Sequence, residues 1–196
     1  MALGLSFGVV ARPLMGTVAP IVMSLVVFAG GAQFAATAVL AAGGGALPAV
    51  VAGILMNLRF IPMGVAVAAS LPGRAGRRAV EGQALTDVSW ALANQGEGRF
   101  DRDVLLGATL VQYPAWAAGT ALGVFVGGAL GDPLALGLDA IFPAFFLALL
   151  AAELRAPMPR AAALLGAVIA LAALPVAPPG VPIIAACLAG LLALRR

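Results

Sequence analysis

The sequence predicts an all-α polytopic integral membrane protein of about six to seven transmembrane helices, some of them broken by proline or glycine. Three observations predict it. Of the 196 residues, 63% are hydrophobic and only 10% charged, where a soluble domain carries about 25% charged residues. Mean hydropathy is +1.09. The apolar runs are joined by short connections that alternate between arginine-bearing and arginine-free. The length fits a single membrane transport domain over 1–196.

Taken in order, residues 1–11 are apolar but too short to span, and read as a half-helix or the second half of a span. They lack the basic start of a signal peptide. The runs 17–41, 46–70, 104–130 and 138–154 are each long enough to cross a hydrocarbon core of about 30 Å. Runs 161–176 and 181–194 are shorter, flank "APPG", and read as a hairpin that crosses thinly. Between the third and fourth runs, "VEGQALTDVSWALANQ" (80–95) does not fit a spanning helix. A helical wheel puts Gln83, Asp87, Trp90 and Asn94 on one face and Leu85, Val88 and Leu92 on another. Two readings stay open: an amphipathic helix at the interface, or a re-entrant piece lining a path.

Arginine placement orients the loops. Arg74, Arg77 and Arg78 follow one run, Arg155 and Arg160 another, and Arg195 and Arg196 end the sequence, while 42–45, 131–137 and 177–180 carry no basic residue. The positive-inside rule reads the basic loops, and the C-terminus, as cytoplasmic. Only Arg12 marks the N-terminal side. All basic residues are arginine, with net charge +3 and a pI near 10.4. In a membrane protein these are orientation signals, so no nucleic-acid partner is expected. All-arginine usage fits a G+C-rich bacterial genome.

Several chemistries are excluded. With no histidine and one cysteine, Cys187, there is no imidazole metal site or proton relay, no internal disulfide and no CxxC motif. No nucleophile–base set emerges, and "GGG" at 43–45 is a turn. Asp139 reads as a helix N-terminal charge, and Pro143 as a kink or a helix start. We expect no enzyme, no cofactor and no metal.

The residue that asks for an explanation is Arg59, the one charge within 46–70 and near its middle. A central arginine costs roughly 2.5–3.5 kcal/mol on translocon scales. Pro62 lacks the N–H that would bond the Leu58 carbonyl, so this turn is expected to open. A cation and freed carbonyls in the middle of a broken helix resemble the substrate sites of secondary transporters. The guanidinium suits a substrate carboxylate, or else it pairs with an acid on another helix and holds the bundle together. Gln33 lies mid-run beside Gly30 and Thr37, as interhelical glue or a substrate ligand. Gln112, Tyr113 and Trp116 precede glycines 119, 123 and 127, whose spacing of four makes a packing face. Pro114 is expected to open the helix around Gln112.

At "MSLVVFAGGAQF" (23–34), "MNLRFIPMG" (56–64) and "LTDVSWAL" (85–92), the sequence resembles the AzlC family of branched-chain amino-acid permeases. The combination of the glutamine motif with Asn-x-Arg at this interval is what makes the likeness specific. The resemblance implies an exporter of branched-chain and related amino acids in the bacterial inner membrane, working with a small AzlD-type membrane partner. Carried over residue by residue, it points to Gln33, Asn57, Arg59, Thr86 and Asp87. Val88 stands where many members have a second acid, which counts against a paired-carboxylate proton site. The first apolar fragment is short beside the family's usual first segment.

Together these readings suggest alternating access around Arg59, driven by protons. Arg59, Asn57, Gln33 and Gln112 would bind substrate, Asp87 would serve as counter-ion or proton site, and Pro62 and Pro114 would break helices near the site. Two alternatives remain: a carrier of another small carboxylate or zwitterion, and a non-transporting scaffold whose polar residues hold a partner. The scaffold predicts no cavity beside Gln33, Asn57 and Arg59.

Overall fold

A computed structural model describes residues 1–129, 135–138, 140–154, 157–177, 185, 186 and 189. Asp139, Cys187, Arg155, Arg195, Arg196 and most of the run 181–194 lie outside the described residues. Among the described residues ten α-helices follow in order: α1 (Ala2–Met15), α2 (Val18–Val26), α3 (Gly30–Ala41), α4 (Ala46–Asn57), α5 (Phe60–Ala68), α6 (Ala75–Gly82), α7 (Asp87–Ala93), α8 (Arg102–Val126), α9 (Ile141–Glu153) and α10 (Pro157–Ala173). Among the described residues the only β feature is one isolated bridge, Asn94 to Phe100.

The packing is inside out by the standards of a soluble protein. Ala32, Ala36, Ala49 and Ala52 are buried together with Ser6, Ser24, Gln33, Thr37 and Thr120, while Leu47, Val65, Leu110 and Val111 stand more than two-thirds exposed. Water would reverse that arrangement; a hydrocarbon solvent favours it, since small residues let helices approach and large apolar ones face lipid.

The α1–α8 seam sets the frame. A Cβ on Gly4 or Gly8 would meet the backbone of Trp116 or Thr120, and one on Gly119 or Gly123 the backbone of Met1 or Leu5. Residue numbers rise together on both sides, so the two helices run parallel. The glycine face expected on α8 therefore exists, and its partner is α1.

The run 17–41 is not one continuous helix. Ser24 and Gln33 would sit about 13 Å apart along a continuous helix, yet Gln33 Nε2 donates to Ser24 Oγ at 2.8 Å. Descending α8, Ser24 meets Thr120 and Phe28 meets Tyr113, ring to ring at 4.9 Å. Then α3 climbs back beside α1, with Phe34 against Phe7. The result is a splayed hairpin whose tip is Phe28–Gly30. Phe28 takes a left-handed φ of 44°, rare for a residue with a Cβ. The Tyr113 hydroxyl holds the turn by donating to the Leu25 carbonyl at 2.8 Å.

Segment 80–95 is likewise two pieces rather than one helix. Along it Glu81 bonds Arg102, Ala84 accepts from Thr109 and Thr86 donates to Gln112, so the segment advances along α8. It then turns at a capping box, in which Thr86 N–H donates to Ser89 Oγ and Ser89 N–H donates to Thr86 Oγ1. From there α7 returns, and the Asp101 N–H reaches the Ala93 carbonyl. Trp90, placed on the polar face by the wheel, instead packs with Leu85 on Val67, Leu71 and Phe100. This second hairpin enters from the opposite end of α8, and the two tips meet near its middle.

The prolines do less than expected. Leu58 and Arg59 keep helical dihedrals, and the Leu58 carbonyl that Pro62 deprives of its usual donor accepts from Ile61 N–H at 3.1 Å. The joint is a kink, and 46–68 stays one helical run of 23 residues. It is the one described run both long and apolar enough to cross a membrane unaided. α8 passes Pro114 unbroken; the loss is one bond, to the Leu110 carbonyl. Gln112, Tyr113 and Trp116 dilute its apolar character. α9 and α10 have 13 and 17 residues, beside the roughly 20 that a span usually takes, so the described residues do not confirm six or seven crossings.

At the arginine-rich end of α8, Glu81 is clasped by Arg102 at 2.6 and 2.8 Å and by Arg77 at 2.8 Å. Bonding to Arg102 first and Arg77 second lowers its pKa from 4.5 to about 2. The folded value lies below the unfolded one. The clasp therefore stabilises fully above about pH 4.5 and loses its contribution as pH falls toward 2. Detergent-solubilised protein is expected to melt above Glu81→Gln at neutral pH, with the gap closing through that acid window; a gap independent of pH would refute the assignment. Arg12 lies at the other end of α8, beside Gly128.

Candidate functional site

Arg59 and Asp87 meet where the two hairpin tips converge. Arg59 Nε donates to Asp87 Oδ1 at 2.9 Å and Nη2 to Asp87 Oδ2 at 2.7 Å, a bidentate pair with side chains 14% and 19% exposed. Nη1 donates to the Met56 carbonyl at 2.8 Å, which ties the cation back to its own helix. The rings of Phe60 and Phe146 lie 4.8 and 5.7 Å from the guanidinium carbon. Both Nη atoms lie 2.7 Å from where a Cβ on Gly31 would stand, so only a glycine leaves that end of the guanidinium its place. Asp87 is the first residue of α7, and its neighbour Thr86 is anchored by the capping box and by Gln112 Oε1 at 2.9 Å. Those bonds aim the carboxylate.

Two cavities lie around the hairpin tips, and Asp87 lines the smaller one. A vestibule of about 720 Å³ is lined by Asn57, Arg78, Gln83 and Tyr113 and ends on Phe28, Ala29 and Phe60. Behind those three residues lies a chamber of about 30 Å³ lined by Gly30, Thr86, Asp87, Gln112 and Trp116. The chamber has room for about two water molecules and none for an amino acid.

The candidate residues therefore separate. Asn57 faces the vestibule, and its Oδ1 is buried with no partner among the described residues. Gln112 and Asp87 face the chamber. Arg59 lines neither cavity, and the edge expected to receive a substrate carboxylate is held by Asp87. Gln33 is fully buried, donates to Ser24, which in turn bonds Thr120, and so links α3, α2 and α8. Its Oε1 is buried with no partner among the described residues. Pro114 does not break α8, whereas ahead of Pro62 the helix is interrupted at Leu58–Arg59, between α4 and α5. Sequence reasoning missed Phe28 at the hairpin tip, and Ser24 and Thr120, whose signal was a hydroxyl inside an apolar run. Among the described residues no cluster of acids could hold a metal ion.

A model of the family described as AzlC protein matches residues 1–130, the stretch that holds both hairpins and α8. An "uncharacterized membrane protein" of Archaeoglobus fulgidus is 38% identical over 190 residues, covering 94% of this chain and 83% of its own. No solved structure matches.

Proposed function

Because the chain belongs to the AzlC family and is a helical membrane protein, we propose that it is a secondary transporter. It exports branched-chain and related amino acids across the bacterial inner membrane, with its arginine-rich end and C-terminus cytoplasmic and a small AzlD-type subunit as partner. The observation that carries this reading is the intramembrane ion pair at the meeting point of two re-entrant hairpins, next to a large vestibule. Irregular backbone at that depth is tolerated where it lines a cavity or is buried in protein, and transporters place substrate sites at such broken elements.

Proton coupling would act on the pair. A protonated Asp87 no longer offers Arg59 two charged acceptors, so the tip of one hairpin is released from the helix bearing Arg59. An Asp87→Asn variant whose transport keeps the wild-type pH dependence would remove Asp87 as the proton site. The vestibule beside Asn57 counts against the scaffold alternative, whereas Gln33 and Arg59 line neither cavity, as that alternative expects. A carrier of another small carboxylate differs only in substrate.

The test is leucine and valine counterflow in proteoliposomes, with the chain alone and with its small partner. Saturable exchange is expected, with most of it lost in Arg59→Lys, since an ammonium cannot span both Asp87 oxygens and the Met56 carbonyl. No exchange in either preparation, from folded protein, would return the scaffold to first place.

A further inference from the structure

The amino-acid reading above assigns no group to the substrate carboxylate, because Arg59 is fully engaged and faces neither cavity. The chamber offers another place. Its wall includes Ala29 and Gly30, where α3 begins. No side chain caps that helix, and the N–H groups of Gly30 and Gly31 meet no acceptor among the described residues. A helix start of this kind carries about half a positive charge and presents donors to an anion.

A second, independent feature points the same way. Trp116 lines the same chamber and is 5% exposed, yet its Nε1–H has no acceptor among the described residues. A buried donor left unbonded costs about 1–3 kcal/mol, and indole can only donate. What it lacks is an acceptor. Asp87, whose carboxylate is paired with Arg59, lines the same chamber, and Leu3, Val88 and Phe145 supply apolar wall. Unpaired donors, an anion and apolar surface in one lining match the groups of a zwitterion with an aliphatic side chain.

We propose that the substrate carboxylate binds the uncapped start of α3, with Trp116 Nε1–H as its side-chain donor. Phe28 and Phe60, which line both vestibule and chamber, then form the gate that must swing for an amino acid to enter. This rests on the amino-acid transport reading.

The experiment is leucine exchange by wild type and Trp116→Phe, each competed with leucinamide, which keeps the ammonium and side chain but has no carboxylate. Trp116→Phe is expected to raise the leucine KM about 10- to 100-fold, the worth of one hydrogen bond to a charged group, and to erase most of the preference over leucinamide. In Trp90→Phe, where Trp116 is the remaining indole, emission is expected to shift with leucine and not with leucinamide; this decides the matter if Trp116→Phe fails to fold. Exchange with unchanged KM and preference, or silent Trp116 emission in a protein that exchanges leucine, overturns the inference alone. No leucine exchange by folded wild type overturns the transport reading and the inference with it.

Discussion

A single methyl group at Gly8 or Gly123 is expected to keep this chain from reaching its folded form. At both positions the added Cβ would lie closer than 3.0 Å to backbone atoms of the facing helix, Thr120 and Val124 for Gly8 and Leu5 for Gly123. No rotamer relieves a clash with backbone, so α1 and α8 would have to separate along the whole seam. Overpacking a core with movable side chains costs about 1–3 kcal/mol; this seam has no such slack, and the cost should exceed that range. Size-exclusion profiles and melting in detergent would show loss of the monodisperse species. Gly107→Ala on the same helix is the control, since no atom lies within 4 Å of the added carbon. It should be neutral or stabilise by up to about 1 kcal/mol. Equal behaviour of Gly107→Ala and Gly123→Ala would refute the seam.

That seam also shows how far the sequence could be followed. Glycines at 119, 123 and 127 announce a close-packing face by spacing alone, because helical geometry repeats nearly every four residues. Their partner is not local information. Gly4 and Gly8 share the spacing, but nothing in a linear reading pairs residues more than a hundred positions apart. Membrane class was legible for a similar reason, since composition reports the solvent directly. The path of the chain was less so. Proline advertises a break, yet Ile61 compensates at Pro62, and Pro114 forfeits one bond of a 25-residue helix. The real reversal is at Phe28, where no proline stands, and it is held by Tyr113 from another helix. Hydropathy sees only that 17–41 is apolar, and an apolar re-entrant hairpin has the same composition as a crossing.

Arg59 and Asp87 illustrate the intermediate case. Arg59 was visible as a costly charge, and the counter-ion role of Asp87 was among the options, but the choice between a substrate-facing and a paired arginine needed the geometry. The capping box at Thr86 and Ser89 decides it locally by starting α7 with Asp87 aimed inward. Val88, beside it, leaves a single carboxylate at the tip, so the pair has one acid to gain or lose a proton.

Truncating either member of that pair should therefore be far worse than removing both. Asp87→Ala leaves a guanidinium 14% exposed with the Met56 carbonyl as its remaining hydrogen-bond acceptor among the described residues and the Phe60 and Phe146 rings beside it, and loss of one member of a buried pair costs up to about 3–5 kcal/mol. Arg59→Ala strands the carboxylate to a similar extent. The double variant Arg59→Met, Asp87→Leu removes both desolvation costs along with the attraction, and such replacements are often neutral or better. We expect its melting temperature in detergent to return close to wild type while leucine exchange stays absent. That combination separates two reasons for keeping a charge in the membrane. If the pair only held α7 against the α4–α5 kink, apolar packing would replace it and exchange would survive. If it is the element that a proton opens, stability can be rebuilt without it, and transport cannot. Retained exchange in the stable double variant would remove the pair from the mechanism.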